Sequence, residues 1–165
     1  MTVSALFAAV IAVCSILSVP MPSGVPITLQ TFAVALCGFS LPRKNSLAAI
    51  VVYLLLGTVG IPVFSGLRGG IGVLFGATGG FLFGFVLMTF LCSLSAKGGL
   101  RLLWGIFGLL ACHTTGVLWY TVVAKTPFFS AALAVSLPYL PKDIVFVLIA
   151  CLLSQKLRKL FFDFS

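Results

Sequence analysis

Long apolar runs, broken by short clusters of proline, glycine and basic residues, set the pattern of this chain. A run from about residue 3 to 19 stops before Pro20, and Pro22 and Pro26 follow. Further runs cover about residues 29–41, 46–60, 78–95, 102–123 and 141–157. The helix over 29–41 opens at Thr28, a residue suited to capping, and Pro42 ends it. Runs of this length suit helices that cross a bilayer, for which about 20 residues suffice. The pattern predicts an all-α membrane protein with six transmembrane helices and a single domain over residues 1–165. The first run lacks the positively charged start of a signal peptide and reads as a true span.

Composition agrees. Of 165 residues, 61% are hydrophobic and 7% are charged. A soluble domain built from this chain would have almost nothing polar for its surface. The net charge of +8 does not point to nucleic acid, because the basic residues sit between runs and near the C-terminus. With six spans, one side collects Arg43, Lys44, Lys97, Arg101, Lys156, Arg158 and Lys159, and the other Arg68, Lys125 and Lys142. Lys and Arg concentrate on the cytoplasmic side, so both termini are placed there and the lipid membrane is the first partner. The loop of residues 20–28 and the Lys142–Asp143 turn then face outward.

The stretch from Gly57 to Gly84 also faces outward and holds ten of the 17 glycines. It has one charge, Arg68. Glycine serves where backbone turns sharply or approaches something closely, so this stretch reads as a loop that folds back, touches a ligand and feeds the next helix.

Few residues can carry chemistry. Asp163 lies in the basic, aromatic tail and reads as solvated. Asp143 lies in the first turn of the last helix, where the helix dipole stabilises a carboxylate, and also suits a polar ligand. Arg68 suits a carboxylate or phosphate, or else the headgroup layer. Lys142 binds an anion or snorkels. Gln30, in a first helical turn, offers donors and an acceptor. His113, alone in mid-span, reads as a packing or interhelical hydrogen-bond residue rather than a ligand or proton relay. Cys14, Cys37, Cys92, Cys112 and Cys151 lie within apolar runs with no paired spacing and read as small apolar residues. No catalytic or metal-binding constellation is found, nor a Walker A loop or dinucleotide fingerprint, and no cofactor is expected. Ala5, Ala8, Ala9 and Ala12 form a smooth stripe on the first span. It suits close helix approach, either within the chain or against a partner subunit.

Three segments resemble one family. VPITLQTFAVALCG (Val25 to Gly38) resembles the P-x-T-L-Q-x-F signature of the BioY family, the substrate-binding (S) components of energy-coupling factor (ECF) biotin transporters. The run from Tyr53 to Phe85 resembles its G-x-x-G-x-P-V-F and G-G-x-G-x-L-x-G-P-T-G-G-[YF] signatures, and LPYLPKDIVFVLIAC (Leu137 to Cys151) its P-[FY]-[IL]-P-x-D segment. The resemblance implies a six-helix S-component bundle that is no enzyme and captures biotin from outside under its first and third loops. It also implies an ECF transmembrane coupling protein and two cytoplasmic ATPases as partners, with the alanine stripe as the docking surface.

For biotin, Thr28, Gln30 and Asp143 offer partners to the ureido ring. Tyr53, Phe64 and Phe75 offer apolar walls, and Arg68 offers the carboxylate a cation. The chain departs from the pattern at Ala77, where the family has proline, and at Phe146, where it commonly has lysine. The missing cation leaves two substitutes, Lys142 or Arg68 alone. Rival readings are a stand-alone vitamin facilitator and, disfavoured by the absent catalytic pairs, a small membrane-embedded enzyme or assembly protein.

Overall fold

The computed structural model describes residues 2–94 and 100–162. Lys97, counted above among the basic residues of one side, lies outside the described residues, as do Ser95, Gly98, Gly99 and Asp163. The elements in order are α1 (Thr2–Ile16), β1 (Ser18–Val19), β2 (Ile27–Thr28), α2 (Gln30–Ser40), α3 (Arg43–Thr58), α4 (Gly72–Phe75), α5 (Gly79–Leu94), α6 (Leu100–Ala124), α7 (Phe128–Val135) and α8 (Leu140–Phe162).

Helix α2 is the axis of the bundle. Of its 11 residues only Phe32 escapes full burial, as expected of a helix that is apolar all round. It packs against α8, α5, α1 and α3. Around it lies the main core, with Ile11, Phe39, Ile50, Tyr53, Phe64, Met88 and Leu109 all nearly or fully buried. A second, smaller cluster joins Val25, Val117, Ala131, Val135 and Tyr139.

The outer surface is apolar as well. Leu103, Phe107, Leu110, Leu118 and Val122 along α6 are exposed, as are Leu6, Val13, Leu55 and Leu152 on other helices. Such a surface is costly in water and suited to lipid. Among the described residues, the 25 residues of α6 alone are long and apolar enough to cross a membrane unaided, and α7 with α8 (Leu140–Lys159) would do so as a pair bent by 57°. Helices α1, α2 and α5, at 15, 11 and 16 residues, are shorter than a full hydrocarbon crossing.

The chain departs from a purely helical reading in three places. Helix α1 stops at Ile16, three residues before the expected end. Val19, preceding Pro20, prefers extended backbone, and it pairs with Ile27 while Ser18 pairs with Thr28. The loop between is therefore a short antiparallel ribbon, closed by a turn in which the Gly24 N–H donates to the Met21 carbonyl at 3.0 Å. Thr28 acts one position early: its hydroxyl accepts the Gln30 N–H at 3.3 Å, while Leu29 holds the cap position. Finally, the segment after Lys125 is not a plain loop but contains α7, entered through Pro127.

The glycine-rich stretch does fold back. Gly70 N–H donates to the Gly57 carbonyl at 2.7 Å, and Phe64 and Arg68 exchange backbone hydrogen bonds around a three-residue tip. Gly57 is required there because a Cβ would stand 2.1 Å from the Phe64 ring. The stretch ends in α5, which makes its most extensive packing with α6.

At the other end of the bundle, Arg101 is buried rather than solvated. Its guanidinium donates to the Phe39 carbonyl at 2.8 Å and to Ser154 Oγ at 3.1 Å. It thereby satisfies an orphan carbonyl in the last turn of α2 and ties α2, α6 and α8 together. Within the alanine stripe, Ala8 and Ala12 pack inward, while Ala5 and Ala9 are exposed.

Candidate functional site

The first turns of α2, α5 and α8, the middle of α6 and the end of α7 enclose a cavity of about 590 Å³, counted to its open mouth. Its walls are mostly apolar. Phe64 and Val73 come from the glycine-rich stretch, Phe81, Leu82 and Phe85 from α5, and Val25 and Pro26 from the first loop.

One polar cluster breaks the apolar wall. Asp143 sits in the first turn of α8, 3% exposed, with its N–H bonded to the Tyr139 carbonyl. Its Oδ1 receives a hydrogen bond and ion pair from Lys142, and its Oδ2 lies 3.3 Å from His113 Nε2. A carboxylate accepts only, so Nε2 carries the proton. In the neutral ring Nδ1 is then free to accept from Ser136 Oγ, 3.0 Å away. The carboxylate is thus held in one orientation by His113 of α6 and by Lys142, its neighbour in α8. Each oxygen keeps lone-pair capacity for a further donor.

Lys142 Nζ also donates to the Thr28 carbonyl at 3.2 Å and lies 4.8 Å from the centre of the Phe146 ring. An ammonium has three protons, so one remains for an acceptor in the cavity. The ammonium of Lys142 therefore lies over the ring that stands at position 146.

Gln30 provides another acceptor. Its Nε2 donates to Tyr53 Oη at 2.7 Å, and Tyr53 donates to Ser15 Oγ at 3.1 Å. This chain across α1, α3 and α2 fixes the amide of Gln30, a residue of the cavity lining, and leaves its Oε1 with acceptor capacity.

The structure brings together Thr28, Gln30, Phe64, Lys142 and Asp143, all of which line the cavity. Tyr53 stands behind the wall, fully buried, holding Gln30 and packing edge-on against Phe64 at 5.6 Å. Arg68 and Phe75 are not among the lining residues. Phe75 is 64% exposed. Arg68 is exposed and borders two further hollows beside the mouth, one reached past Val73 and Thr78, the other past Pro26 and Ser65. His113, Ser136 and Tyr139 join the site although they carried no ligand role in the sequence reading. The available signal was the scarcity of polar groups in so apolar a sequence, because buried polar groups seek each other.

Comparison with known proteins decides the family. The model of the BioY family matches residues 1–163. The chain belongs to the BioY family. A BioY protein of Pyrococcus horikoshii, described as "Probable biotin transporter BioY", is 37% identical over 155 residues, covering 93% of each chain. The biotin transporter BioY of Thermotoga maritima is 35% identical over 160 residues, covering 94% of this chain and 93% of its own. Among solved structures, the crystal structure of an S-component for biotin from an ECF-type ABC transporter superposes with a TM-score of 0.87. It covers 96% of this chain and 89% of that one at 24% identity, a likeness of fold. The BioY bundle places Asp143, Lys142 and Gln30 at one end, where α2 and α8 begin. Arg43, Arg101, Lys156 and Lys159 lie toward the other, where those helices finish.

Proposed function

We propose that this chain is the high-affinity biotin-binding S component of an ECF transporter, capturing biotin at the outer face of the cell membrane and delivering it inward. It is a transport protein and not an enzyme. The observation that carries the reading is the pairing inside the cavity: Asp143 offers lone pairs to N–H donors, and beside it Lys142 offers a proton to a carbonyl. A cyclic urea presents that combination, two N–H groups flanking one C=O. Apolar walls from Phe64, Phe81 and Phe85 suit the sulfur ring. The acid tail leaves through the mouth, where the exposed Arg68 borders the adjoining hollows.

The membrane arrangement follows from charge. Six spans, formed by α1, α2, α3, α5, α6 and α8, put both termini in the cytoplasm, with the cavity at the opposite, outer end. The exposed Ala5 and Ala9 face of α1 receives the transmembrane coupling protein, which brings two cytoplasmic ATPases. The protein is then multi-pass in the cell membrane and takes its energy from that module.

The test is a titration of purified, detergent-solubilised protein with labelled biotin. Saturable binding at submicromolar biotin is expected, and its absence would reject the reading. Uptake in cells with and without the coupling protein and ATPases then tests the energy module; accumulation in both would favour a stand-alone carrier.

A further inference from the structure

The first loop is fastened across the cavity by side chains far away in sequence. Tyr120 of α6 donates to the Ser23 carbonyl at 3.1 Å. Tyr139, in the turn between α7 and α8, donates to the Val25 carbonyl, and its oxygen lies 3.2 Å from Ser23 Oγ. Under these bonds Val25 is buried against Val117 of α6, Ala131 and Val135 of α7, and Tyr139, in the cluster that stands apart from the main core.

The loop is thus seated on its own small core and closed by two phenols. Its backbone carbonyls, which an ordinary surface loop leaves to water, are satisfied by side chains instead. The helix α7 has a reason here: it provides the floor on which the loop rests. Tyr139 touches both the loop and the cavity, whereas Tyr120 reaches the loop and does not line the cavity.

We infer that Tyr120 and Tyr139 are retention residues, positioning the first loop over the bound ligand so that they govern how fast it leaves. The inference rests on the biotin reading above. Escape requires the loop to lift, which breaks both phenol bonds and exposes Val25. Neither bond exists to recognise the ligand, so association is largely spared. A hydrogen bond of ordinary net strength corresponds to roughly a five-fold change in rate.

The experiment loads purified protein with radiolabelled biotin and chases it with an excess of unlabelled biotin. Tyr120→Phe and Tyr139→Phe are each expected to speed dissociation roughly five-fold, and the double variant roughly twenty-fold, with the association rate within about two-fold of the parent. Parent-like dissociation from Tyr120→Phe overturns the inference while leaving the biotin reading intact. An effect of Tyr139→Phe alone also overturns it, because that residue would then act as a ligand contact. Should Tyr139→Phe fail to fold, Tyr120→Phe decides the matter alone. Failure of the parent protein to bind biotin is a separate outcome, which rejects the reading beneath.

Discussion

His113 Nε2 lies 3.3 Å from Asp143 Oδ2, and this contact joins the middle of α6 to the first turn of α8. With Lys142 on the other oxygen, a nearly fully buried carboxylate has both its oxygens engaged before any ligand arrives. The arrangement fixes the plane in which lone pairs face the cavity. It also makes Asp143 costly to neutralise alone, because the Lys142 ammonium would stay behind without its counter-charge. Breaking a buried pair from one side costs about 3–5 kcal/mol, and partial exposure of Lys142 puts this pair at the low end or below. Asp143→Asn is therefore expected to lower the unfolding temperature and to weaken biotin binding by about a hundred-fold. Adding Lys142→Met should recover stability but not binding. Thermal unfolding alongside calorimetric titration separates the two effects, and recovery of neither would show that the ion pair does not carry the cost.

Lys142 stands where its ammonium covers the Phe146 ring, 4.8 Å from the ring centre. We propose that it stands in, from one turn earlier, for the lysine that the family resemblance leads one to expect at position 146. If position in space matters and position in sequence does not, the two should exchange. Lys142→Ala is expected to weaken binding by about ten-fold or more, the loss of one charge-assisted hydrogen bond. Lys142→Ala with Phe146→Lys should recover most of it. Equal weakness of the single and double variants in a biotin titration would mean that the anchor on the Thr28 carbonyl, at 3.2 Å, is indispensable.

What could be read from the chain follows from where scarcity is informative. Asp143 and Gln30 stand out because polar groups are rare in so apolar a sequence, and both line the cavity. His113 is as rare, and its reading as an interhelical hydrogen-bond residue matches its contacts with Ser136 and Asp143. Its place in the cavity wall depends on α7 and α8 folding back beside α6, which no local pattern announces. Arg68 drew attention as the sole charge among glycines, but the backbone pairing of Phe64 with Arg68 turns the loop tip outward. Phe75 lies outside the cavity lining for a similar reason: α4 has one turn and no buried residue. Arg101, counted among the basic residues between the apolar runs, is drawn inward to the carbonyl of Phe39 at the end of α2. Helix α7 escaped notice because its eight residues lie between prolines and bury only Ala131 and Val135.

Arg68 outside the cavity still has a task if it meets the acid tail of biotin at the mouth. That role has a signature which general damage to the loop lacks. Arg68→Ala is expected to weaken binding of biotin by about ten-fold, as for an exposed charge-assisted contact. Binding of biotin methyl ester, which has no carboxylate, should hardly change. Competition titrations with the acid and the ester check this. Equal losses for both ligands would assign Arg68 to shaping the loop, and no loss for either would remove it from the site.

Gly80 and Gly84 set how closely α5 approaches α6, and with it the position of Phe81, Leu82 and Phe85 in the cavity wall. A Cβ on Gly80 would stand 2.2 Å from Trp119 Cβ and 2.6 Å from the Thr115 carbonyl; on Gly84 it would stand 2.5 Å from Thr115 Oγ1. Trp119 cannot yield freely, because its Nε1 donates to the Gly76 carbonyl at 3.0 Å. Gly72 belongs to the same four-residue series but meets nothing within 4 Å. Overpacking of this kind costs about 1–3 kcal/mol, while glycine to alanine at an unstrained open position gains about 0.4–1 kcal/mol. Gly80→Ala and Gly84→Ala should therefore lower the unfolding temperature, and Gly72→Ala should hold or raise it. The comparison separates glycine kept for helix contact from glycine kept for the loop alone. A fall for all three would mean that the series acts through backbone freedom and not through the α5–α6 contact.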